Sequence, residues 1–291
     1  MGSKFYFSAE EILRWRLKQL SFGGSSADID WLLDIGGGLG WNELQRLKVF
    51  RNGDYHLDIP LENLSLIWIK HLEKKIPLQY LLGKCPWSDF ELEIDKSVLI
   101  PRQETEILLE LALAKVSATK MGLWVDLGTG SGALAVGLAR ALTCWEGHAV
   151  DLSQAALEIA SKNLKRLAPD SNVKVHLGNW SEPLDFYFGK FDLVVSNPPY
   201  IPTEILGNLD PIVRNNEPHI ALSGGVDGMD SCRKVVEGSK KLLKSKGLLI
   251  FEHHYDQSER AGKLLLDYGF YDIDFHNDLN GFRRFAIGRN S

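Results

Sequence analysis

The chain has 291 residues, roughly twice the length of a common single domain, which favours two domains. Its 44% hydrophobic, 24% charged and 10% aromatic residues are those of an ordinary globular protein and exclude disordered, collagenous and fibrous classes. Thirty-three basic against 38 acidic residues leave a net charge of −5, which opposes the counterion-release binding that holds proteins on duplex nucleic acid.

The stretch from Met1 to Glu11 has one lysine and no apolar core, so it does not read as a secretory signal. Ser8 and Glu11 form a capping box ahead of Ile12, Leu13, Leu17 and Leu20, which recur at helical spacing. A second helical run follows Asp28 with Trp31, Leu32 and Ile35, and a third starts near Leu61 and carries Leu64, Ile67, Trp68, Ile69 and Leu72. Residues 1–85 therefore read as a helical unit, of the kind that packs or docks a partner. Within it, Asp34-Ile-Gly36-Gly-Gly38-Leu-Gly40 mimics a nucleotide-binding glycine turn. Its context is wrong: a helical pattern precedes it, no strand ending in an acid follows about 20 residues later, and Asp54 and Asp58 fall in a polar Asn-Gly-Asp loop. Gly36 to Gly40 reads as a helix C-terminus and connection.

From Pro86 to Ile100 the period changes to two, with Phe90, Leu92 and Ile94 followed by Val98 and Ile100, which predicts a β-hairpin linker. After Pro101 strands alternate with helices. Strands are predicted at Leu123 to Leu127, His148 to Val150, Val173 to Leu177, Phe191 to Ser196, Leu248 to Glu252 and Phe282 to Ile287. Helices are predicted at Gly132 to Leu142, Gln154 to Leu167, Val235 to Leu243 and Glu259 to Tyr268. The alternation implies an α/β fold with a mainly parallel sheet covered by helices. The last strands lack an intervening helix, so at least one of them is expected to be antiparallel. No run approaches the ~18 consecutive apolar residues of a membrane span. Cys85, Cys144 and Cys232 lack C-x-x-C spacing, which suggests neither a disulfide framework nor a zinc site, and fits a reducing compartment.

Two segments carry chemistry. Asp126-Leu-Gly128-Thr129-Gly130-Ser131-Gly132 closes a predicted strand and opens a predicted helix, where glycines allow a tight turn and the helix start offers unpaired N–H groups. Asp151 ends the next strand, 19 residues beyond Gly132, where its carboxylate can accept hydrogen bonds from both hydroxyls of a ribose. Together they read as a nucleoside site. Asn197-Pro198-Pro199-Tyr200 lies just past the strand Phe191 to Ser196, on the ligand-binding edge of a parallel sheet. Alone it would be a Pro-Pro turn; beside a nucleoside site it marks a reaction centre. The pair His253-His254 points to opposite faces of an extended segment and receives no role.

These residues resemble class I S-adenosylmethionine-dependent methyltransferases and, more closely, the HemK family of protein-glutamine methyltransferases, which modify the Gly-Gly-Gln motif of peptide-chain release factors. Val98-Leu-Ile-Pro-Arg-Gln-Glu-Thr-Glu106 is similar to the family's V-L-I-P-R-P-E-T-E, with Gln103 in place of proline. Asp126 to Gly132 matches D-L-G-T-G-S-G, and Ser196 to Ile201 matches S-N-P-P-Y-I. Glu217-Pro218 with Ala221-Leu222, and Gly225-Val-Asp-Gly228, match two further family segments. The N-P-P-Y is also shared with DNA adenine and RNA guanine methyltransferases, so it specifies a planar nitrogen acceptor and no more.

The resemblance implies a Rossmann-like methyltransferase domain over residues 101–291, preceded by a helical substrate-recognition domain, 1–85, and the hairpin linker, 86–100. It implies S-adenosyl-L-methionine as cofactor, contacted by Asp126, Gly128, Thr129, Gly130, Ser131, Gly132, Asp151, Asn179, Trp180 and Asn197. Trp180 serves either as the face for a purine ring or as core packing. Arg102, Glu104 and Thr105 would form a lid, with a solvated helix start as the alternative. Gln103 bears on that lid's rigidity. The catalytic group would be Asn197, Pro198, Pro199 and Tyr200. An amide nitrogen is a poor nucleophile because its lone pair is delocalised. The Asn197 side-chain oxygen and the Pro198 carbonyl can accept its two hydrogens and favour the charge that develops on transfer, while Tyr200 stacks on the amide plane. No metal is required. The implied partner is a class-one release factor, acting with a monomeric enzyme. The alternative is a nucleic-acid amino-methyltransferase. Residues 1–85 hold 11 Lys+Arg and 10 Asp+Glu, a net of +1, which leaves −6 for residues 86–291 and little to hold phosphates. No membrane is involved, and a cytoplasm, plastid stroma or mitochondrial matrix would each fit.

Overall fold

The computed structural model describes residues 5–291. The first four residues, part of the stretch read above for a leader, lie outside the described residues. Two units are distinguished: Met1–Lys84 with Pro211–Asn216, and Cys85–Asp210 with Glu217–Ser291.

In the first unit, β1 (Phe5–Ser8) leads into α1 (Ala9–Leu20) through the capping box: the Ser8 side chain accepts from the Glu11 N–H, and Glu11 Oε2 accepts from the Ser8 N–H at 2.7 Å. α2 (Ser26–Trp31) runs into a π-helical turn, Leu32–Gly36, and α3 (Trp41–Phe50) follows. The second glycine cluster therefore ends one helix and precedes the next. β2 (Asp54–Leu57), α4 (Leu61–Lys74) and α5 (Leu78–Leu82) complete the sequence-contiguous part. Ile12, Ile29, Leu32, Leu33, Leu44, Leu47, Leu64 and Trp68 form its fully buried core. Asp54 was expected in a loop but begins a strand, because β2 pairs antiparallel with β1, Phe5 opposite Leu57. That pairing joins segments far apart in sequence, and no local pattern announces it.

The second unit opens within β3 (Lys84–Trp87), at Cys85, and β3 pairs with β4 (Phe90–Glu93). The expected hairpin over 86–100 is thus shorter and starts earlier. Ile94, Val98 and Ile100 are buried outside any strand, so their alternation marked burial rather than pairing. Then come α6 (Glu104–Lys115), β5 (Leu123–Leu127), α7 (Ala133–Ala141), β6 (Glu146–Asp151), α8 (Gln154–Leu167), β7 (Asn172–Leu177) and β8 (Phe191–Ser196). α9 (Pro211–Asn216) belongs with the first unit, where Asn216 Nδ2 donates to the Lys75 carbonyl at 2.7 Å. α10 (Asp230–Leu242), β9 (Leu243–Glu252), α11 (Ser258–Asp267), β10 (Phe270–Asn277) and β11 (Arg283–Asn290) finish the chain.

The seven-stranded sheet has the order β10-β11-β9-β8-β5-β6-β7. β9, β8, β5, β6 and β7 run parallel, and β11 is antiparallel to both β9 and β10. Val125, Leu127, Val194, Leu249 and Phe251 form one buried face of the sheet, in a single core cluster with Val235 and Val236 of α10 and Ala261 and Leu265 of α11. This is the α/β class expected. β10 escaped the sequence reading because it is a charged edge strand, Phe-Tyr-Asp-Ile-Asp-Phe-His-Asn, whose polar residues keep the sheet edge in water.

On β6, His148 is fully buried. Its Nδ1 lies 2.9 Å from His176 Nε2 and its Nε2 lies 3.1 Å from Glu146 Oε1, with Tyr187 and Phe191 edge-on. Burial pushes the imidazole down from the ordinary 6.5 to about 4. The unfolded chain therefore takes up this proton before the folded one does. The associated stability is complete above pH 6.5 and is lost as the pH falls toward about 4. Replacing the imidazole by His148→Asn should flatten the acid side of the stability profile, whatever it does to the absolute value. The check is urea-unfolding midpoints of both proteins at about pH 7 and about pH 5; equal slopes would show that His148 does not titrate there.

Candidate active site

Parallel strands deliver their C-terminal ends to one edge of the sheet, and the chain places its polar segments there. β5 ends at Asp126-Leu127, and the backbone then turns through Gly128 to Gly132 into α7. The Gly128 and Thr129 N–H groups both donate to the Val150 carbonyl at 2.9 Å, which ties the loop to β6. Gly132 has φ +83°, which favours glycine at the turn, and a Cβ there would stand 3.1 Å from the Ala160 Cα of α8, a tight approach that glycine eases. Asn163, fully buried on α8, donates to the Ser131 carbonyl at 2.9 Å and to the Glu93 carbonyl at 2.8 Å, bracing the loop against the hairpin.

Asp151 at the end of β6 accepts from the Gly130 N–H at 2.8 Å through Oδ2 and from the Ser153 N–H at 2.9 Å through Oδ1. Each oxygen keeps a lone pair for a further donor. Burial raises its pKa above the ordinary carboxylate value. Asp126 accepts from Thr129 Oγ1 at 2.7 Å through Oδ2, while its buried Oδ1 has no partner. Burial pushes this carboxyl up to about 7.

Both acids line a cavity of about 390 Å³, within the ordinary range for small-molecule sites. Of the residues singled out in the sequence, Asp126, Gly128, Thr129, Gly130, Ser131, Asp151, Asn179, Trp180, Asn197, Pro199, Arg102 and Thr105 line it. Gly132, Pro198, Tyr200 and Glu104 do not. Trp180 adopts φ +53° and lies over Gly128, where a Cβ would approach its ring to 3.2 Å. Val98, Leu99, Pro101, Ile220 and Ala221 supply apolar wall that the sequence had not assigned.

The tetrapeptide follows β8. Ser196 Oγ donates to the Leu127 carbonyl at 2.6 Å, and the Ile201 N–H donates to the Leu222 carbonyl at 3.0 Å. Gly228 is packed so closely that a Cβ would lie 2.5 Å from the Tyr200 carbonyl oxygen. Gln257 Nε2 donates to that same oxygen at 2.9 Å. Asn197 Nδ2 donates to Thr105 Oγ1 at 2.9 Å, and Tyr200 OH donates to Glu252 Oε1 at 3.0 Å. Arg102 Nη2 contacts both oxygens of the buried Glu217 at 2.9 and 2.8 Å. Burial raises the Glu217 pKa and Arg102 opposes it. Glu217 and Glu252 were not assigned from sequence. The available signal for Glu252 was a carboxylate closing the apolar strand Leu-Leu-Ile-Phe-Glu next to β8.

Residues 120–268 match the family described as a methyltransferase domain. The chain is 60% identical over 289 residues to the release factor glutamine methyltransferase of Prochlorococcus marinus, covering 99% of each chain. The chain belongs to the release factor glutamine methyltransferase family. It is 37% identical to the Synechocystis relative of the same name, over 99% of both chains. Among solved structures, the hMettl16 catalytic domain in complex with MAT2A 3'UTR hairpin 6 shares the fold, with a TM-score of 0.54 at 15% identity over 78% of this chain and 81% of that one.

The chain is an S-adenosylmethionine-dependent methyltransferase. The cavity fits that cofactor on its own chemistry: an unpartnered buried Asp126 oxygen suits a cationic ligand, and Asp151 has acceptor capacity left for hydroxyls. If Asp151 holds the ribose, Asp151→Ala should weaken cofactor binding by about 1.5–3 kcal/mol, while Asp34→Ala in the other glycine cluster leaves it unchanged. Titration calorimetry decides; equal affinity in wild type and Asp151→Ala would remove the assignment.

Proposed function

We propose that this chain transfers the methyl group of S-adenosylmethionine to the side-chain amide nitrogen of the glutamine in the Gly-Gly-Gln motif of a class-one peptide-chain release factor. The observation that carries this reading is the full-length 60% identity to a release factor glutamine methyltransferase. The site geometry supports it, because Asn197 and Pro199 line the same cavity as the glycine loop, Asp126 and Asp151.

The cofactor supplies an electrophilic methyl on a sulfonium. Asp126, the loop Gly128 to Gly132, Asp151, Asn179 and Trp180 hold it. Asn197 Oδ1 and the Pro198 carbonyl accept the two hydrogens of the glutamine amide. That aims the nitrogen and stabilises the positive charge appearing on it. Tyr200 stacks on the amide plane, and Arg102, Glu104 and Thr105 close the site. The helical residues 1–85 recognise the release factor, residues 86–100 link them to the catalytic domain, 101–291, and the enzyme works as a monomer in a reducing compartment. Among the described residues no helix is long and apolar enough to cross a membrane. Nucleic acid is the weaker alternative substrate, since residues 86–291 carry −6 and have little to hold phosphates.

The test is incubation with purified release factor and labelled cofactor, followed by peptide mass spectrometry. One added methyl on the Gly-Gly-Gln glutamine supports the reading; transfer to DNA or RNA exceeding transfer to the protein at physiological salt would reverse it. Asn197→Ala is expected to bind cofactor normally and to lose about 10²–10³ in kcat, as for removal of one preorganised polar group. A folded Asn197→Ala protein with near-normal turnover would reduce the tetrapeptide to a strand-ending turn.

A further inference from the structure

Glu252 closes β9 with its carboxylate sealed from water, at 1% exposure. Two hydroxyls meet it: Thr105 Oγ1 donates to Oε2 at 2.7 Å and Tyr200 OH donates to Oε1 at 3.0 Å. A threonine hydroxyl has a single hydrogen. Burial raises the Glu252 pKa and its two hydroxyl donors oppose that rise; with Glu252 ionised and that hydrogen committed to it, only lone pairs remain on Thr105 Oγ1, and a neighbour there must be a donor. Asn197 Nδ2 fills this position at 2.9 Å.

An asparagine amide has one donating and one accepting end, so fixing the first fixes the second. We infer that Glu252 is a positioning residue, which acts through Thr105 to hold the Asn197 amide in the flip that turns Oδ1 toward the methyl-accepting nitrogen. In the opposite flip Oδ1 would face the lone pairs of Thr105. Relieving that clash by rotating the hydroxyl would strip a buried carboxylate of one of its two donors. The same carboxylate anchors the Tyr200 phenol, so one side chain on β9 governs both polar ends of the tetrapeptide. Thr105, read from sequence as part of a lid, is the middle of this relay.

The inference rests on the proposed amide-methylating reading, and its test separates the two. In the full-length protein, Glu252→Gln, Thr105→Val and Thr105→Ser are compared with wild type. A glutamine at 252 can turn its NH2 toward Thr105, which frees the hydroxyl to donate to Asn197 and selects the wrong flip. Glu252→Gln and Thr105→Val should each lower kcat about 10- to 100-fold, the scale of a misplaced reacting group, a loss larger than any change in cofactor affinity or in the KM for release factor. Thr105→Ser, which restores the hydroxyl, should recover most of the kcat lost in Thr105→Val.

A second readout needs no substrate. The Asn197 side-chain 1H–15N signal, assigned by its disappearance in Asn197→Ala, should exchange slowly with solvent in wild type and Thr105→Ser and quickly in Thr105→Val. Wild-type kcat in folded Thr105→Val, or an Asn197 signal unaltered in both Thr105→Val and Glu252→Gln, would overturn the inference. So would a parallel loss of kcat, cofactor affinity and melting temperature, which marks a merely structural role. If Glu252→Gln does not fold, Thr105→Val against Thr105→Ser still decides. Wild type that fails to methylate release factor would defeat the functional reading, while the exchange measurement would still report the flip.

Discussion

The chain changes its direction of travel across the sheet at β5. It moves outward through β6 and β7, then returns to place β8 on the other side of β5 and continues through β9. The loops leaving β5 and β8 therefore part in opposite directions, and a crevice opens beyond their C-terminal ends. The groups that line the cavity follow from that reversal: Asp126 near the end of β5 with the glycine turn after it, Asp151 at the end of β6 and Asn197 after β8, with the buried carboxylate of Glu252 at the end of β9 behind them. Right-handed crossovers and parallel pairing are generic; the reversal makes one edge of the sheet a site.

A crevice between loops holds a reaction geometry only when the loops are stiff. Here the stretch 217–228 supplies the stiffness. It pairs with Ile201, the residue just after the tetrapeptide, through the Ile201 and Gly224 N–H groups, supplies Glu217 as the acceptor for Arg102, and packs Gly228 against the Tyr200 carbonyl. Gln257 then joins the Tyr200 and Gly228 carbonyls through one amide at 2.9 and 3.2 Å. The segments that looked like family signatures in the sequence are in physical terms the scaffold of the tetrapeptide.

How much of this was legible in the sequence varied with the range of the interactions involved. β5, α8 and β8 fall where the residues placed them, since short apolar runs bounded by glycine, proline or a capping serine specify them locally. Asp151 could be placed by counting, because the spacing of a glycine turn and the next strand end is set by one crossover. β1 with β2, β10 and the membership of Pro211–Asn216 in the first unit were not legible, because distant pairing or packing creates them. Glu252 was invisible for a different reason. A glutamate ending a strand is ordinary until three-dimensional placement delivers Thr105 from α6 and Tyr200 from beyond β8 to its two oxygens.

Pro198 and Pro199 were met first as a Pro-Pro turn, but they also have no N–H to give. Under the proposed reading, the groups that meet the substrate amide are acceptors, Asn197 Oδ1 and the Pro198 carbonyl, and neither proline adds a donor to this wall. A glutamine amide brings two hydrogens to such a wall. Glutamate, the product of glutamine deamidation, brings lone pairs and a negative charge and is repelled from it. A release factor that has aged chemically at this one side chain would thus go unmodified, and methylation would mark only copies whose glutamine is still intact.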